Sequence, residues 1–362
     1  EVWDGAKAYD ILVSAGAPIA TGMGKEGAFL IITGAGAEAS GITITDFGSA
    51  SVYDGAKIMD SVVEAGGILA MSYRKLNDGT SAGYAENITV KEDGIFWVGK
   101  LGSVANNITF EAGSFIGGFG LDSQGTAFTN SKVIGYDGSE TTLTNWNGGD
   151  YTVANGLILL MSSRIGDDTA DYVLDLSKVI LDKGGAIQKS VTDNTFSSAD
   201  TVEGLRVIDP ETGDVLDASI SGGKATNWVV NKGQEYTFGA NDTGLIVYEG
   251  GVINGNYSTA ENQLTGRYVY DDGSVVAFSC ADGVAENLIL DGKTLSIAAG
   301  GKSINAVLTN GGVINGMGGG ATVEGGSVSG ENSTIQITGA DSVISGTVLS
   351  GTEFAKIEVW DG

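Results

Sequence analysis

One short pattern recurs along the chain: an Asn or Asp, a large apolar residue three positions later, and a glycine soon after. The spacing between neighbouring anchors is 20 from Asn87 to Asn107 and 27 from Asp60 to Asn87, so the intervening segments vary in length. A unit of about 20 residues is too short to bury its own apolar face and must stack on copies of itself. The copies are Ala8–Gly16, Ile58–Gly66, Ala85–Gly94, Ala105–Gly113, Ala225–Gly233, Ala285–Gly292 and Ser303–Gly311.

A second, shorter unit lies between these anchors and consists of an apolar or aromatic residue, Asp or Glu, and glycine, as in Tyr53-Asp54-Gly55. The hexapeptide Gly-Gly-Val-Ile-Asn-Gly occurs twice, at 250–255 and 311–316. Glycine supplies 59 of the 362 residues, and each glycine inside a helix costs about 1 kcal/mol relative to alanine. Helix is therefore disfavoured outside the glycine-free runs 167–183 and 186–203, and the first of these fits helix and strand equally well.

These features predict an all-β fold, a parallel β-solenoid (β-helix) of about 20-residue coils with irregular loop insertions. Each coil is expected to contain two strands and two turns, and 1–362 is expected to form one continuous solenoid of about 18 coils and about 85 Å. The repeats are most degenerate over 114–224. The anchor Asn and Asp side chains either stack as ladders or bond the turn backbone. A β-sandwich or barrel with glycine-rich hairpins is the alternative, but it gives no reason for Asn to recur at one offset.

Composition excludes several classes of function. The formal net charge is −26, which opposes binding to nucleic acid or to an anionic membrane surface. The chain has no His, which excludes a Ser-His-Asp triad and imidazole metal ligands. Cys280 is the single cysteine and is expected to be a buried small apolar residue. No apolar stretch approaches the length needed to span a bilayer as a helix, so no membrane insertion of this segment is expected.

The alternation of A-x-N-x-x-V-x-x-G with V-x-D-G units resembles the strand-loop-strand repeats of AIDA-type autotransporter passengers. Asn87–Gly94, Asn107–Gly113 and Asn227–Gly233 bear the longer unit, and Val2–Gly5 and Val52–Gly55 bear the shorter one. The resemblance implies an extracellular β-solenoid that acts in adhesion, autoaggregation and biofilm formation. The chain departs from the family pattern where Ser normally precedes Gly-Gly, since that position holds Ala15, Ala65, Ala112 or Lys232.

The pentapeptide Glu-Val-Trp-Asp-Gly occupies both 1–5 and 358–362. One interpretation treats both copies as ordinary aromatic-Asp-Gly half-repeats. The other is a higher-order repeat with a period of 357, in which the chain is one segment of a longer rod or filament.

Candidate binding chemistry is sparse. Gly117–Gln124 resembles the calcium-binding nonapeptide of repeat proteins, but it occurs once and Gln124 stands where an apolar residue is required. The pairs Asp167-Asp168 and Asp271-Asp272 offer oxygen ligands for Ca²⁺, but solvated turn residues are the favoured interpretation of both pairs. A polysaccharide-degrading enzyme of β-helix fold would need converging carboxylates, often with Arg or Lys. The arginines are scattered without a repeat phase, at positions 74, 164, 206 and 267.

Trp3, Tyr53 and Tyr136 occupy turn positions and are expected to pack coil on coil rather than to form a sugar-stacking surface. No catalytic, cofactor-binding or metal-ligating residue and no cofactor is predicted. The sequence predicts a structural protein of the bacterial cell surface, not an enzyme, that acts as an adhesin or autoaggregation stalk. Its expected partners are copies of itself, as lateral or head-to-tail neighbours, and a surface glycan or protein. A subunit or segment of an extracellular filament assembled end to end is the second hypothesis.

Overall fold

The computed structural model describes residues 1–15, 28–71, 82–98, 102–118, 126–143, 150–161, 175–191, 193–350 and 354–360. The chain divides into two compact units. Unit 1 comprises Glu1–Asn194, Gly204–Asp209 and Gly213–Val215, and unit 2 comprises Thr195–Glu203, Pro210–Thr212 and Leu216–Gly362. The single solenoid expected over 1–362, with its most degenerate repeats over 114–224, stays a prediction.

Strands dominate the described residues of both units, and the only helical element there is one 3₁₀ turn, Leu176–Lys178. The first twenty strands are β1 (Val2–Trp3), β2 (Lys7–Tyr9), β3 (Leu12–Ser14), β4 (Phe29–Thr33), β5 (Glu38–Ser40), β6 (Thr43–Thr45), β7 (Ser49–Tyr53), β8 (Lys57–Val63), β9 (Ile68–Ala70), β10 (Tyr84–Val90), β11 (Ile95–Trp97), β12 (Val104–Phe110), β13 (Ser114–Gly117), β14 (Ala127–Thr129), β15 (Lys132–Ile134), β16 (Glu140–Thr142), β17 (Tyr151–Val153), β18 (Leu157–Leu160), β19 (Val179–Leu181) and β20 (Ala186–Gln188). The predicted all-β class is confirmed.

The remaining strands begin after residue 194. They are β21 (Thr195–Ser197), β22 (Val202–Ile208), β23 (Val215–Ser221), β24 (Lys224–Thr226), β25 (Val229–Val230), β26 (Glu235–Thr237), β27 (Leu245–Tyr248), β28 (Val252–Asn254), β29 (Tyr257–Ser258), β30 (Leu264–Val269), β31 (Val275–Ala281), β32 (Val284–Glu286), β33 (Ile289–Asp291), β34 (Thr294–Ile297), β35 (Lys302–Ile304), β36 (Val307–Thr309), β37 (Val313–Gly316), β38 (Thr322–Glu324), β39 (Ser327–Val328), β40 (Thr334–Thr338), β41 (Val343–Ser345), β42 (Val348–Leu349) and β43 (Lys356–Trp360).

Unit 1 is built on two large sheets whose strands pair almost entirely in parallel. One has the order β1-β4-β7-β9-β11-β13-β18-β20, and the other has the path β16-β15-β12-β10-β8-β5-β2. Tyr84 of β10 pairs with Lys57 and with Val104, so the pairing offset is 27 on one side and 20 on the other. The other sheet repeats the same two offsets, since β11 pairs with β9 and β13. Each repeat therefore adds one strand to each sheet, at the spacing that the Asn anchors predict.

At the end of unit 2, each repeat contains three short strands and adds one strand to each of three sheets. Successive groups of three strands add one strand each to three parallel sheets, in the orders β32-β35-β38-β41, β33-β36-β39-β42 and β34-β37-β40-β43. The pairing offsets are 18, 18 and 19 for the first step and 21, 21 and 22 for the last. The expected two strands per repeat are wrong here, because Asn287 and its equivalents divide the long strand into two short ones.

The predicted parallel pairing holds for most strands, but antiparallel hairpins interrupt it among the described strands and include β15–β16, β23–β24, β30–β31 and β31–β32. Two-residue turns explain two of these hairpins. Gly222 and Gly223 connect β23 to β24, and Asp282 and Gly283 connect β31 to β32, with φ positive at all four residues. Consecutive positive φ values define the tight turn that joins antiparallel strands.

Aliphatic and aromatic side chains fill the interior because alternate residues of every strand point to the same side. Ala39, Ile58, Ala85, Ala105 and Phe128 occupy one register position on successive strands of unit 1, and all five are buried. In unit 2, Leu290, Leu308 and Val328 form an equivalent buried row.

A buried carboxylate fixes one turn of unit 2. Asp242 accepts hydrogen bonds from the Tyr236 hydroxyl at 2.6 Å and from the backbone N–H groups of Gly239 and Ala225 at 2.7 Å each. A buried charge requires such partners. Burial, reinforced by the carboxylate, raises the pKa of Tyr236, so the phenol stays a hydrogen-bond donor. This polar cluster serves the fold.

Candidate functional site

An exposed column of amide and carboxylate side chains runs across the wider sheet of unit 1. Asp60, Asn87 and Asn107 have φ values of 48°, 56° and 56°, in the left-handed region that Asn and Asp tolerate best among residues with a side chain. Asn87 Nδ2 donates to Asp60 Oδ1 at 2.8 Å, and Asn107 Nδ2 donates to Asn87 Oδ1 at 2.8 Å. The ladder is thus the arrangement adopted in unit 1. It aligns neighbouring strands from the outside.

The same anchor bonds the backbone in unit 2. Asn227 Nδ2 donates to the carbonyl of Asp217 at 2.9 Å, and Asn287 Nδ2 donates to the carbonyl of Ala277 at 2.8 Å. In both cases the acceptor lies ten residues earlier, on an antiparallel hairpin strand. Of the two arrangements foreseen for the anchors, the ladder is present in unit 1, whereas these two anchors of unit 2 bond a carbonyl of a neighbouring strand rather than the backbone of the turn.

Replacing Asn87 by alanine is expected to lower the free energy of unfolding by about 2–4 kcal/mol. The change places a Cβ-bearing residue without a compensating side-chain bond at positive φ, at about 1 kcal/mol, and removes two ladder bonds of about 0.5–1.5 kcal/mol each. Asn87→Gly is the matched control, because glycine accepts this φ and loses only the hydrogen bonds. Urea denaturation should rank wild type above Asn87→Gly and Asn87→Gly above Asn87→Ala. Equal stability of the two variants would contradict the backbone contribution.

The candidate cation ligands give no assembled site in the described part of the chain. Asp122 and the pair Asp167-Asp168 lie outside the described residues. Asp272 is engaged in a turn, where its Oδ1 accepts from Ser274 N at 2.8 Å and from Ser274 Oγ at 2.6 Å. Among the described residues no group of three His, Cys, Asp or Glu side chains could hold a metal ion.

Three turns share this Asp-x-Ser geometry, at Asp137, Asp175 and Asp272. In each, the serine hydroxyl and then the serine N–H hold the pKa of the carboxyl below its usual value. The cause is stabilisation of the ionised form by two donors.

Acidification is expected to weaken the fold through these turns. Because the folded pKa lies below the unfolded value of about 3.9, the stabilisation is present above that pH and is lost as pH falls through the folded pKa. Asp272→Asn should lose less stability than wild type between neutral pH and pH of about 3. The matched control is Asp271→Asn, which removes a neighbouring charge without touching the Ser274 bonds. An identical pH dependence for wild type and Asp272→Asn, measured by urea denaturation, would refute this account.

The arginines that the structure describes form structural ion pairs. Arg206 makes a two-pronged contact with Asp150, with N–O distances of 2.7 and 2.9 Å. Arg267 Nη1 donates to Glu211 Oε2 at 2.9 Å. Arg74 and Arg164 lie outside the described residues. These pairs hold hairpins and sheets in register.

The turn aromatics do not share one environment. Tyr53 is buried, as expected, whereas Trp3 is 56% exposed and Tyr136 is intermediate. For Trp3 the expected packing role is wrong in this structure. A buried aromatic cluster lies elsewhere in unit 1, where Phe96, Phe110 and Phe128 pack at centroid distances of 5.6–6.1 Å. Alternation within β12 and β14 was the signal that could have located Phe110 and Phe128, whereas β11 is apolar throughout and gives no such signal for Phe96.

Cys280 is completely buried, in agreement with the sequence prediction. Burial raises the pKa of its thiol to about 11, which keeps the group protonated at neutral pH. The thiol is therefore a packing element of β31 rather than a nucleophile.

Exposed apolar side chains concentrate on strands that are last in their sheets. We call β1, β2 and β3 the leading edge and β41, β42 and β43 the trailing edge. Large apolar residues exposed on them are Trp3, Tyr9 and Leu12 on the leading edge, and Val343, Val348, Leu349, Val359 and Trp360 on the trailing edge. A terminal strand also presents backbone groups that can pair with another strand. These edges are the candidate interaction surfaces of the described residues.

No protein-family model matches the sequence, and no curated protein matches it. Among solved structures, one that aligns is the crystal structure of a TibA fragment, residues 55–350, hyper-glycosylated by TibC. The alignment covers 97% of this chain and 99% of that chain, with 16% sequence identity and a TM-score of 0.29. At these values the function has to be argued from this chain's own residues. No helix among the described residues is long and apolar enough to span a membrane.

Proposed function

We propose that the strands of each unit wind as a closed β-solenoid and that the chain acts on the bacterial cell surface as an adhesin or autoaggregation stalk. The supporting observation is that consecutive repeats add one strand to each of two sheets from β7 to β13 in unit 1, and one strand to each of three sheets from β32 to β43 in unit 2. Stacked repeats of this kind produce stiff, extended binding surfaces. The proposal assigns the chain no catalytic activity and no cofactor.

The net charge of the chain determines the ionic conditions under which two copies would associate. A net charge of −26 keeps copies dispersed at low salt. Salt screens this repulsion, and divalent cations can bridge carboxylates on facing copies. The proposed partners are other copies of the chain and a surface glycan or protein, with nucleic acid excluded by the charge.

Beads coated with the 362-residue chain test the autoaggregation proposal. Coated beads should stay dispersed at low salt and aggregate when NaCl or Mg²⁺ is added, as followed by light scattering. Excess soluble chain should prevent aggregation, and beads coated with an unrelated protein of similar negative charge are the control. Coated beads that remain dispersed under every ionic condition, or that aggregate no more than the control, would contradict the proposal.

End-to-end assembly into a filament is a second candidate, favoured by one observation. Among the described residues, the trailing edge holds the last strand of each of these three sheets and exposes five large apolar side chains. Sheets that end in unpaired, apolar strands favour pairing with a further strand. Lateral contacts would instead leave both edges free.

A further inference from the structure

We propose that one face of unit 2 binds an uncharged polysaccharide. The face consists of the outward-facing side chains of β29, β34, β37 and β40, and we call it the neutral face. The inference rests on the proposed adhesive function and deepens it, because it names the class of glycan and the residues that contact it.

The side chains of these strands divide by alternation into a buried set and an outward-facing set. Leu295, Ile314 and Ile335 align across β34, β37 and β40, and all three are buried. The positions on either side of them point to the opposite side of the sheet. These positions form two rows in register, and every member is partly or fully exposed: Thr294, Val313 and Thr334 in one row, and Ser258, Ser296, Asn315 and Gln336 in the other.

The neutral face lacks charge in a strongly acidic chain. No charged residue occurs in β29, β34, β37 or β40, although the net charge of the chain is −26. The other two sheets of the same repeats hold charged residues, such as Asp291 and the ion pair of Lys302 with Glu324. In β43, the next strand of the sheet, Lys356 and Glu358 offset each other at 3.1 Å. This face therefore suits an uncharged ligand, whereas an anionic one would be repelled by the rest of the chain.

The longer row offers hydrogen-bonding groups that the fold does not use. Within the described part of the chain, the side chains of Ser296, Asn315 and Gln336 make no hydrogen bond. Hydroxyl and amide groups both donate and accept hydrogen bonds, as do the hydroxyl groups of a sugar. Parallel strands place these groups about 4.8 Å apart, which is close to the length of one sugar residue in an extended polysaccharide. Successive members of the row can therefore contact successive sugar residues.

The repeated hexapeptide Gly-Gly-Val-Ile-Asn-Gly supplies an internal comparison, since it places Asn254 on β28 and Asn315 on β37. Asn254 Nδ2 donates to Glu235 Oε2 at 2.8 Å, and Asn254 Oδ1 accepts from Lys293 Nζ at 2.6 Å. Charged neighbours thus occupy both ends of this amide, whereas the neighbours of Asn315 in its row are uncharged. The same residue type serves the fold in one copy and is left unused by the fold in the other.

The composition of the neutral face favours a glycan over a second copy of the chain. The buried cores of protein interfaces are enriched in apolar and aromatic side chains. No residue of β34, β37 or β40 is among the large apolar side chains exposed on the described residues. A row of hydroxyl and amide groups instead offers many weak hydrogen bonds, which a long polysaccharide makes simultaneously. Binding should therefore strengthen with the length of the glycan.

Co-sedimentation of the 362-residue chain with insoluble polysaccharides tests the proposal. Cellulose, chitin and curdlan are the uncharged probes, and carboxymethylated cellulose is the acidic one. The chain should bind at least one uncharged probe, and should bind the acidic probe at least tenfold more weakly. Soluble fragments of the bound polysaccharide should compete better as they lengthen. Because no ionic contact is involved, raising NaCl from about 0.05 M to about 0.5 M should change binding less than twofold.

A double variant places charge on the neutral face. Ser296→Asp with Gln336→Glu introduces two carboxylates into the row and removes donor groups, so it should weaken binding at least tenfold. The matched control, Ser345→Asp with Gln263→Glu, makes the same chemical changes at exposed positions outside this face and should bind like wild type. Circular dichroism and urea denaturation check both folds. A wild-type chain that binds none of the uncharged probes, equal binding to the acidic probe, or equal losses in the two double variants would overturn the proposal.

Beads coated with the Ser296→Asp, Gln336→Glu chain separate this inference from autoaggregation. They should aggregate in NaCl or Mg²⁺ as wild-type beads do, because the neutral face contacts a glycan and not a second copy. Loss of bead aggregation in this variant would make the face a contact between copies and would overturn the glycan assignment. Wild-type beads that never aggregate while the chain still binds glycan would contradict autoaggregation and support the neutral face as a glycan site.

Discussion

Replacing Phe110 by alanine is expected to be among the most destabilising single changes in the chain, lowering the free energy of unfolding by about 3–5 kcal/mol. The side chain is fully buried at the end of β12. Its ring lies 5.7 Å from that of Phe96 and 6.1 Å from that of Phe128, between centroids. Truncation removes these contacts and leaves a cavity between strands held by their neighbours, which limits how far the site can collapse.

Two controls separate the cavity from the loss of a ring as such. Phe110→Leu retains most of the volume and should cost less than about 1.5 kcal/mol. Phe354→Ala removes an aromatic ring that is 76% exposed, and should stay within about 0.5 kcal/mol of wild type. Urea denaturation followed by circular dichroism measures all three. If Phe110→Ala and Phe354→Ala were equally stable, the aromatic trio would not be a core element.

Gly67→Ala is expected to cost about 3 kcal/mol, for a steric rather than a conformational reason. The φ of Gly67 is not in the left-handed region, so alanine suits the backbone. A Cβ at this position would nevertheless overlap the carbonyl oxygen of Ile44 on the preceding repeat and lie 3.0 Å from the carbonyl oxygen of Glu64. Relief requires two paired strands to separate, and both sides of the contact are backbone.

Gly233→Ala is the matched comparison. Gly233 has a φ of +75°, and a Cβ added there would have no atom within 4 Å, so its substitution meets only conformational strain. That strain is about 1–2 kcal/mol. The urea midpoint should therefore fall further for Gly67→Ala than for Gly233→Ala. The reverse order would mean that successive repeats are less closely packed than the structure has them.

The repeat could be predicted from sequence because its anchors have a stereochemical cause. Asn87 and Asn107 occupy the left-handed region, where few residues with a side chain are tolerated, so their spacing of 20 reports the strand register directly. The offset of 18 between Asn287 and Asn305 is likewise the offset of β32 and β35. Parallel pairing and the buried Cys280 followed from the same pattern of short apolar strands.

Other copies of the repeat have no distinctive residue type at the anchor position. Gly41 aligns with Asp10 on one neighbouring strand and with Asp60 on the other, so it occupies the anchor position of the repeat between them. Gly325 likewise occupies the anchor position of the repeat that follows Asn305. Glycine accepts the same positive φ as Asn but is common throughout this chain, so it does not stand out as an anchor. The wide spacing between Asp10 and Asp60 therefore concealed a repeat, with pairing offsets of 31 and 19.

The Gly-Gly pairs of the repeat contain glycines required for two different reasons, a positive φ and a close backbone contact, and the sequence alone does not distinguish them. Gly66 has a φ of +72°, which is the turn role expected of glycine. At Gly67 there is no room for a side chain, because a backbone carbonyl of the preceding repeat lies against its Cα. The exposed edge strands could not be identified from the sequence either, because the apolar residue types of β43 are the same as those of buried strands. Which strands end a sheet is decided by tertiary pairing, not by local pattern.

The pairing offset between successive parallel strands ranges from 17 at β25–β27 to 43 at β13–β18, while the register of buried positions is preserved. Extra residues are thus accommodated between strands without disturbing the neighbours. Unequal recombination that joins equivalent positions of two repeats would delete or duplicate whole repeats and leave the remaining strands in parallel register. Alleles that differ in length by integral repeats are the expected outcome, so a population can vary the reach of this protein without having to evolve a new core.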